Sequence, residues 1–185
     1  RLVVSPTPEM AEGASPTVDP LTALIGRITA YGEVTGGFNM PHGASGIEPL
    51  FRSEDGTVTV IRDAENRIRM TLRGALAFAP GAAELNPQAA AYLDETARLL
   101  RVNAGNVLVQ GYADESEAQG PESFRLSAGR AAAVAEHFIT RHGLAPRRFI
   151  VTGRGAYRPE SVPGAENGSE RNRRVEIVIL PGEAA

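Results

Sequence analysis

The chain has 185 residues, room for one domain and an appendage rather than a two-domain enzyme, and its 42% hydrophobic residues suffice for a core. All 19 basic residues are arginine and cysteine is absent, which removes P-loop, Schiff-base and Ser-x-x-Lys chemistry together with disulfides, thiolate metal sites and cysteine nucleophiles. A net charge of -3 with no Trp argues against a nucleic-acid partner, and no apolar run reaches the roughly 20 residues of a membrane span.

The chain opens on Arg1 with no signal peptide in view, so it reads as a piece of a longer protein whose anchor or targeting segment lies elsewhere. Residues 1–20 carry Pro6, Pro8, Pro16 and Pro20 among Ser, Thr and Gly, the composition of a flexible linker. Segment 21–49 begins behind Asp19-Pro20, an N-cap followed by a helix-opening proline, and Leu21, Leu24, Ile25, Ile28 and Tyr31 then fall on one stripe. This short amphipathic helix either docks on the main domain, the reading favoured here, or serves as a dimer contact or regulatory element. Gly32 to Gly46 is a glycine-rich loop.

The main domain is placed at 50–181. Val58 and Val60, then Ile68, Met70 and Leu72, alternate with polar residues around a turn at Asp63 to Asn66, predicting a β-hairpin that runs on toward Ala77 and Phe78. Asn86-Pro87 opens a helix through Val102 with Leu93, Ala97 and Leu100 inward. A strand over 106–111 leads to a second helix over 121–142, with Leu126, Val134 and Phe138 on its buried side. A strand over 148–153, a polar loop over 155–171 and a last strand over 172–180 complete the order βαβαββ. The fold class is therefore α/β, a two-layer sandwich of a mixed sheet with helices on one face.

Three histidines remain as metal ligands, and His137 and His142 stand five apart, off the shared face of an α-helix, so no metal site is expected. Between Arg147 and Arg174, seven arginines face Glu160, Glu166 and Glu170, a local excess that suits either a solvated surface or a binding patch. The sharper feature is Arg130, four residues from both Leu126 and Val134, whose stem lies along the inward stripe and whose guanidinium needs an anionic partner. Asp114 is the nearest candidate by topology, since it follows the 106–111 strand at its carboxyl end, where ligands collect in open α/β sheets. The two either pair with each other or form a two-pronged receptor, carboxylate for an ammonium and guanidinium for a carboxylate, which fits an amino-acid head group. Glu115 with Glu117 or Asp114 could be imagined as a hydrolytic carboxylate pair, but acids in a short surface loop are usually solvated. Gly153-Arg-Gly155 lacks the third glycine and the following helix of a nucleotide fingerprint.

Four stretches together resemble the OmpA-like peptidoglycan-binding domain in its MotB-type flagellar stator version. Phe78-Ala-Pro-Gly-Ala-Ala-Glu-Leu85 is similar to the family's Phe-x-x-Gly-Ser-Ala-x-Leu, Val109-Gln-Gly-Tyr-Ala-Asp114 to its Gly-His-Thr-Asp strand end, and Leu126-Ser-Ala-Gly-Arg-Ala131 to its Leu-Ser-x-x-Arg-Ala helix. Asn172-Arg-Arg-Val-Glu-Ile177 is identical to the closing motif. The resemblance implies binding of the diaminopimelate residue of the peptidoglycan stem without catalysis, and no cofactor is expected. Asp114 would hold the ammonium and Arg130 the carboxylate, with backbone groups of Tyr112 and Ala113 lining the pocket and Arg173 or Arg174 auxiliary. Alanine at Asp114 or Arg130 is expected to abolish binding and leave the fold intact. The resemblance further implies a homodimer in the periplasm, tied in the full-length parent to the inner membrane and to a MotA-like channel subunit. Departures from the pattern are Tyr112 for His, Ala113 for Thr, and Ser123 three residues before Leu126 in place of Asn. The threonine hydroxyl and the asparagine amide so lost each remove a possible hydrogen bond, worth roughly 0.5–1.5 kcal/mol.

Overall fold

The computed structural model describes residues 19–29, 46–162 and 164–182; most of the expected linker, Tyr31 and nearly all of the glycine-rich stretch lie outside these. Helix α1 (Pro20–Thr29) starts at its sequence cap, where the Asp19 carboxylate accepts the Thr22 N–H at 3.1 Å. Leu21, Leu24 and Ile28 are buried, α1 packs along α2 (Pro87–Val102), and Arg27 is paired with Glu95 on that helix. In α2 the Asn86 side chain caps the first turn at Gln88 N, and Leu93, Ala97 and Leu100 turn fully inward.

Three strands, β1 (Glu48–Arg52), β2 (Val58–Arg62) and β3 (Ile68–Arg73), form an antiparallel meander. The alternation of the hairpin sorts Val58, Val60, Ile68, Met70 and Leu72 onto the core face. The hairpin does not run on to Ala77 and Phe78. Gly74 takes a φ of +62°, outside the extended region, and a 3-10 turn at Gly74–Leu76 ends β3 and drops Phe78 into the core. Strand β1 has no clear alternation, so periodicity does not reveal it.

From β3 onward the order is β3, α2, β4 (Val107–Tyr112), α3 (Gly120–Glu136), β5 (Phe149–Gly153), α4 (Gly168–Asn172) and β6 (Arg174–Ile179), which is βαβαββ apart from the five-residue α4 that begins inside the expected 155–171 loop. Among the described residues the sheet runs β1-β2-β3-β6-β4-β5, with β4–β5 the one parallel pairing. The expected mixed α/β sandwich is the fold observed. The last strand is central, between β3 and β4, and all six of its residues are buried.

One sheet face carries Met70, Val109 and Ile177 beneath the helices, in a single apolar cluster with Leu24, Leu93, Val134 and Phe138. Helix α3 lies on β4 and β5 at a spacing set by two glycines. A Cβ on Gly111 would stand 1.8 Å from the Ser127 carbonyl oxygen, and one on Gly153 would stand 2.6 Å from Ala128 N. The buried stripe of α3 is accordingly small, with Ser123, Ser127 and Ala131 preceding Val134, and Leu126 is half-buried rather than inward. At its end α3 passes into a π-helical turn, His137–Arg141.

The opposite face is polar yet largely buried. Glu176 accepts from Arg69 at 2.9 Å, Arg174 at 3.0 Å and the Tyr112 hydroxyl at 3.2 Å, and the Arg174 guanidinium lies 3.7 Å over the Tyr112 ring.

Candidate functional site

The carboxyl end of β4 delivers Asp114 into a loop that turns toward α3, and the short helix α4 delivers Asn172 to the same point. Asp114 is 6% exposed. Its Oδ1 accepts from Ser116 N at 3.0 Å and Ser116 Oγ at 2.6 Å, and its Oδ2 accepts from Asn172 Nδ2 at 2.9 Å. Burial alone would raise its pKa, but these hydrogen bonds and the nearby Arg173 charge outweigh it and hold the carboxyl below its ordinary value. Asn172 in turn accepts from Ser161 N at 2.8 Å, so it joins the Asp114 loop to the loop after β5. Asp114, Ser116, Ser161, Asn167 and Asn172 line a pocket of about 640 Å³.

Arg130 is wholly buried and does not line this pocket, and its carboxylate partner is not Asp114. Glu117 receives it bidentately, Nη2 to Oε1 at 2.6 Å and Nη1 to Oε2 at 2.9 Å. The remaining guanidinium donors reach the carbonyls of Ala82 at 2.9 Å and Tyr112 at 3.1 Å, and, more distantly, Ala79 at 3.5 Å, with the Phe78 ring 5.3 Å away. Glu117 also accepts the N–H groups of Asp114 and Gly81, each at 2.9 Å. Its burial would raise its pKa; Arg130 and the two backbone donors more than reverse that and leave it lowered. The loop acid expected to be solvated therefore has a side chain only 3% exposed, fastened by Arg130 and two backbone amides. Neither it nor Asp114 is placed as a free acid or base.

The other expected site residues divide. Arg173 lies close to Asp114 and donates to the Phe78 carbonyl at 3.1 Å, bracing the loop that Arg130 also holds. The Tyr112 carbonyl is taken by Arg130 and its side chain faces the polar side of the sheet with Arg174, away from the pocket. Ala113 N donates to the Gly155 carbonyl at 3.0 Å, and Ser123 Oγ to the Gly120 carbonyl at 2.8 Å. Neither these two nor Leu126 lines the pocket. Two residues absent from the expected set matter here: Asn172 lines the pocket and bonds Asp114, and Glu117, outside the lining, joins the Asp114 backbone to Arg130. Asn172 stands in the closing motif, which was the available signal; Glu117 gave none, because its burial depends on the conformation of the loop.

The expectation that His137 and His142 diverge is overturned in three dimensions. The π-helical turn brings both Nε2 atoms to within 2.7 Å of the same Asp94 Oδ1.

The OmpA family model matches residues 77–173, which contain Asp114, Glu117, Arg130, Asn172 and Arg173. Peptidoglycan-binding protein ArfA of Mycobacterium tuberculosis is 31% identical over 118 residues, covering 63% of this chain and 36% of ArfA. Motility protein B of Bacillus subtilis is 28% identical over 120 residues, covering 63% of this chain and 46% of that protein. The chain thus spans less than half the length of both relatives. Among solved structures, the cell wall anchor of the T6SS from Pseudomonas aeruginosa is 32% identical with a TM-score of 0.60, over 69% of this chain and 90% of that one. With the match taking in just over half of its length, including Asp114 and Asn172 of the pocket and the Glu117–Arg130 pair, the chain belongs to the OmpA family.

Proposed function

We propose that the domain binds peptidoglycan without cutting it, through a diaminopimelate residue of the stem peptide, and so anchors a membrane protein to the cell wall from the periplasm. The observation that carries this is Asp114: a carboxylate kept ionised while nearly buried, at the edge of a polar pocket at the carboxyl end of a central-sheet strand. An ammonium group docking there gains a charge-assisted hydrogen bond on Asp114 Oδ2, which accepts from Asn172 alone among the described residues.

The ligand's carboxylate would take the seat on Arg130 that Glu117 occupies, since that guanidinium has no exposed surface. Glu117 then acts as an internal stand-in, leaving as the ligand enters. Arg130 is both receptor and fastening, so Arg130→Ala is expected to damage the fold as well as binding. Asp114→Ala is the cleaner variant.

The test is cosedimentation of the chain and Asp114→Ala with diaminopimelate-containing sacculi and with a lysine-type wall, each variant first matched by circular dichroism. Saturable binding to the first wall, lost in the variant, supports the reading; equal binding by both proteins overturns it.

For the full-length parent, a flagellar stator subunit that dimerises and works with a MotA-like channel partner is the first reading, supported by the likeness to Motility protein B. Another wall anchor is the second, favoured by the higher identities to ArfA and the T6SS anchor. Rescue of swimming in a strain lacking its own stator anchor separates the two, and light scattering tests the dimer.

A further inference from the structure

The groups around Asp94 stand on the helical layer, on elements other than the loops that form the Asp114 pocket. Asp94 projects from the middle of α2; His137 and His142 bracket the π-helical turn that ends α3. In an α-helix, positions five apart diverge around the axis, but the wider π turn returns the chain to nearly the same face after five residues. Both imidazoles consequently aim Nε2 at one carboxylate oxygen, each at 2.7 Å, with ring centroids 5.4 Å apart. All three donor atoms lie within 4.8 Å of one another.

We propose that Asp94, His137 and His142 form a binding site for a divalent first-row transition ion, with Zn²⁺ as the best fit. Two imidazole nitrogens and one carboxylate oxygen are a donor set for a borderline ion and are poorly suited to Mg²⁺ or Ca²⁺, which take oxygen shells. Metal–ligand bonds of about 2.0–2.2 Å at tetrahedral angles set donor separations near 3.3 Å. The 2.7 Å contacts therefore need to open by only about 0.6 Å to admit the ion.

Access and room agree with this reading. The imidazoles are 10% and 15% exposed and the Asp94 side chain is 39% exposed, so the carboxylate can shift and the ion can enter from solvent. Asp94 and His137 border an open groove shared with Pro87, Ala90 and Glu136, where water or an incoming donor completes a fourth position. Arg141 also lines that groove, and Arg101 donates to the His142 carbonyl at 3.4 Å. Two arginines thus offset Asp94 and Glu136, and affinity rests on the convergence of the three ligands rather than on a negative field. Bound there, the ion would clamp the middle of α2 to the end of α3.

The test is calorimetric titration of the tag-free, chelator-treated chain with ZnCl₂, with visible absorption of Co²⁺ as a probe of tetrahedral coordination. Thermal unfolding with and without Zn²⁺ supplies an independent readout. The expected result is saturation at one ion per chain, a raised melting temperature, and affinity lowered about tenfold or more in Asp94→Asn and in His142→Gln. His42→Ala, which removes the third imidazole of the sequence, should bind as the parent does. Absence of saturable binding by the folded chain overturns the proposal and leaves one carboxylate fastening two imidazoles. Binding that survives both site variants, or is lost with His42, overturns it equally.

Discussion

Glu117 and Arg130 meet with two parallel hydrogen bonds, at 2.6 and 2.9 Å, in a place where neither side chain has more than 3% of its surface in solvent. A pair so enclosed is costly to break from one side, because the partner left behind is a buried charge without compensation. Glu117→Ala is expected to lose roughly 3–5 kcal/mol of stability in chemical denaturation. Diaminopimelate-containing fragments should return part of that loss if their carboxylate takes the vacated seat. A variant as stable as the parent would show that water or a neighbouring acid replaces Glu117 without cost.

The same pair gives the domain a pH dependence of definite sign. Glu117, Asp114 and Glu160 each have carboxyls held below their ordinary values: burial opposes this in all three, and the hydrogen bonds and arginine charges prevail. A carboxyl whose folded pKa is depressed contributes stability above its unfolded pKa, and that contribution is lost as pH falls through the folded value. These groups should therefore add no slope at neutral pH and a steady decline below about pH 4. Denaturation midpoints followed from pH 7 to pH 3 check this, and Glu117→Gln should flatten part of the decline. An unchanged slope in that variant would remove Glu117 from the account.

Two glycines distinguish space from conformation. Gly111→Ala places a methyl group 1.8 Å from the Ser127 carbonyl oxygen, a backbone atom that can yield only if α3 lifts from the sheet. It should cost about 3 kcal/mol or more, at the upper end of overpacking effects. Gly26, inside α1, has nothing within 4 Å of the place a methyl group would take, so Gly26→Ala should stabilise by about 0.5–1 kcal/mol through helix propensity. Thermal melts of the two variants should move in opposite directions.

Asn172 links two loops that otherwise share no strand. Asn172→Ala removes the donor on Asp114 Oδ2 and the acceptor for Ser161 N, and should cost about 1–3 kcal/mol. Binding to sacculi should weaken more than this stability loss accounts for at saturating folded fraction, because the pocket wall around Ser161 loses its tie. Parallel cosedimentation and denaturation curves give the two effects separately.

Much of this architecture is legible in the residues. The caps at Asp19-Pro20 and Asn86-Pro87 are local chemistry, and the alternation through Val58 to Leu72 reports a sheet with one apolar face. What escapes is what depends on encounters between distant segments. Glu117 reads as a loop acid until Arg130 arrives beneath it from α3. Glu176, Arg174 and Tyr112 on the second sheet face are buried through one another, with the half-buried Arg69 beside them, so periodicity marks as exposed three residues that are not. For His137 and His142, α-helical geometry argues against a shared face, and the π turn changes the angular step on which that expectation rests. The motif resemblance points to Asp114 and Arg130 but carries no information about which acid the arginine holds.

The position of β6 has a consequence for assembly. Since β3 and β4 are not paired with each other but are joined through the last of the described strands, the two half-sheets keep open hydrogen-bonding edges until residues 174–179 pair between them. Such a chain closes late and non-locally, which slows folding and lengthens the interval in which unpaired edges can recruit other molecules. A chain shortened by only its final strand would not be a slightly smaller domain but two open β surfaces with no common centre.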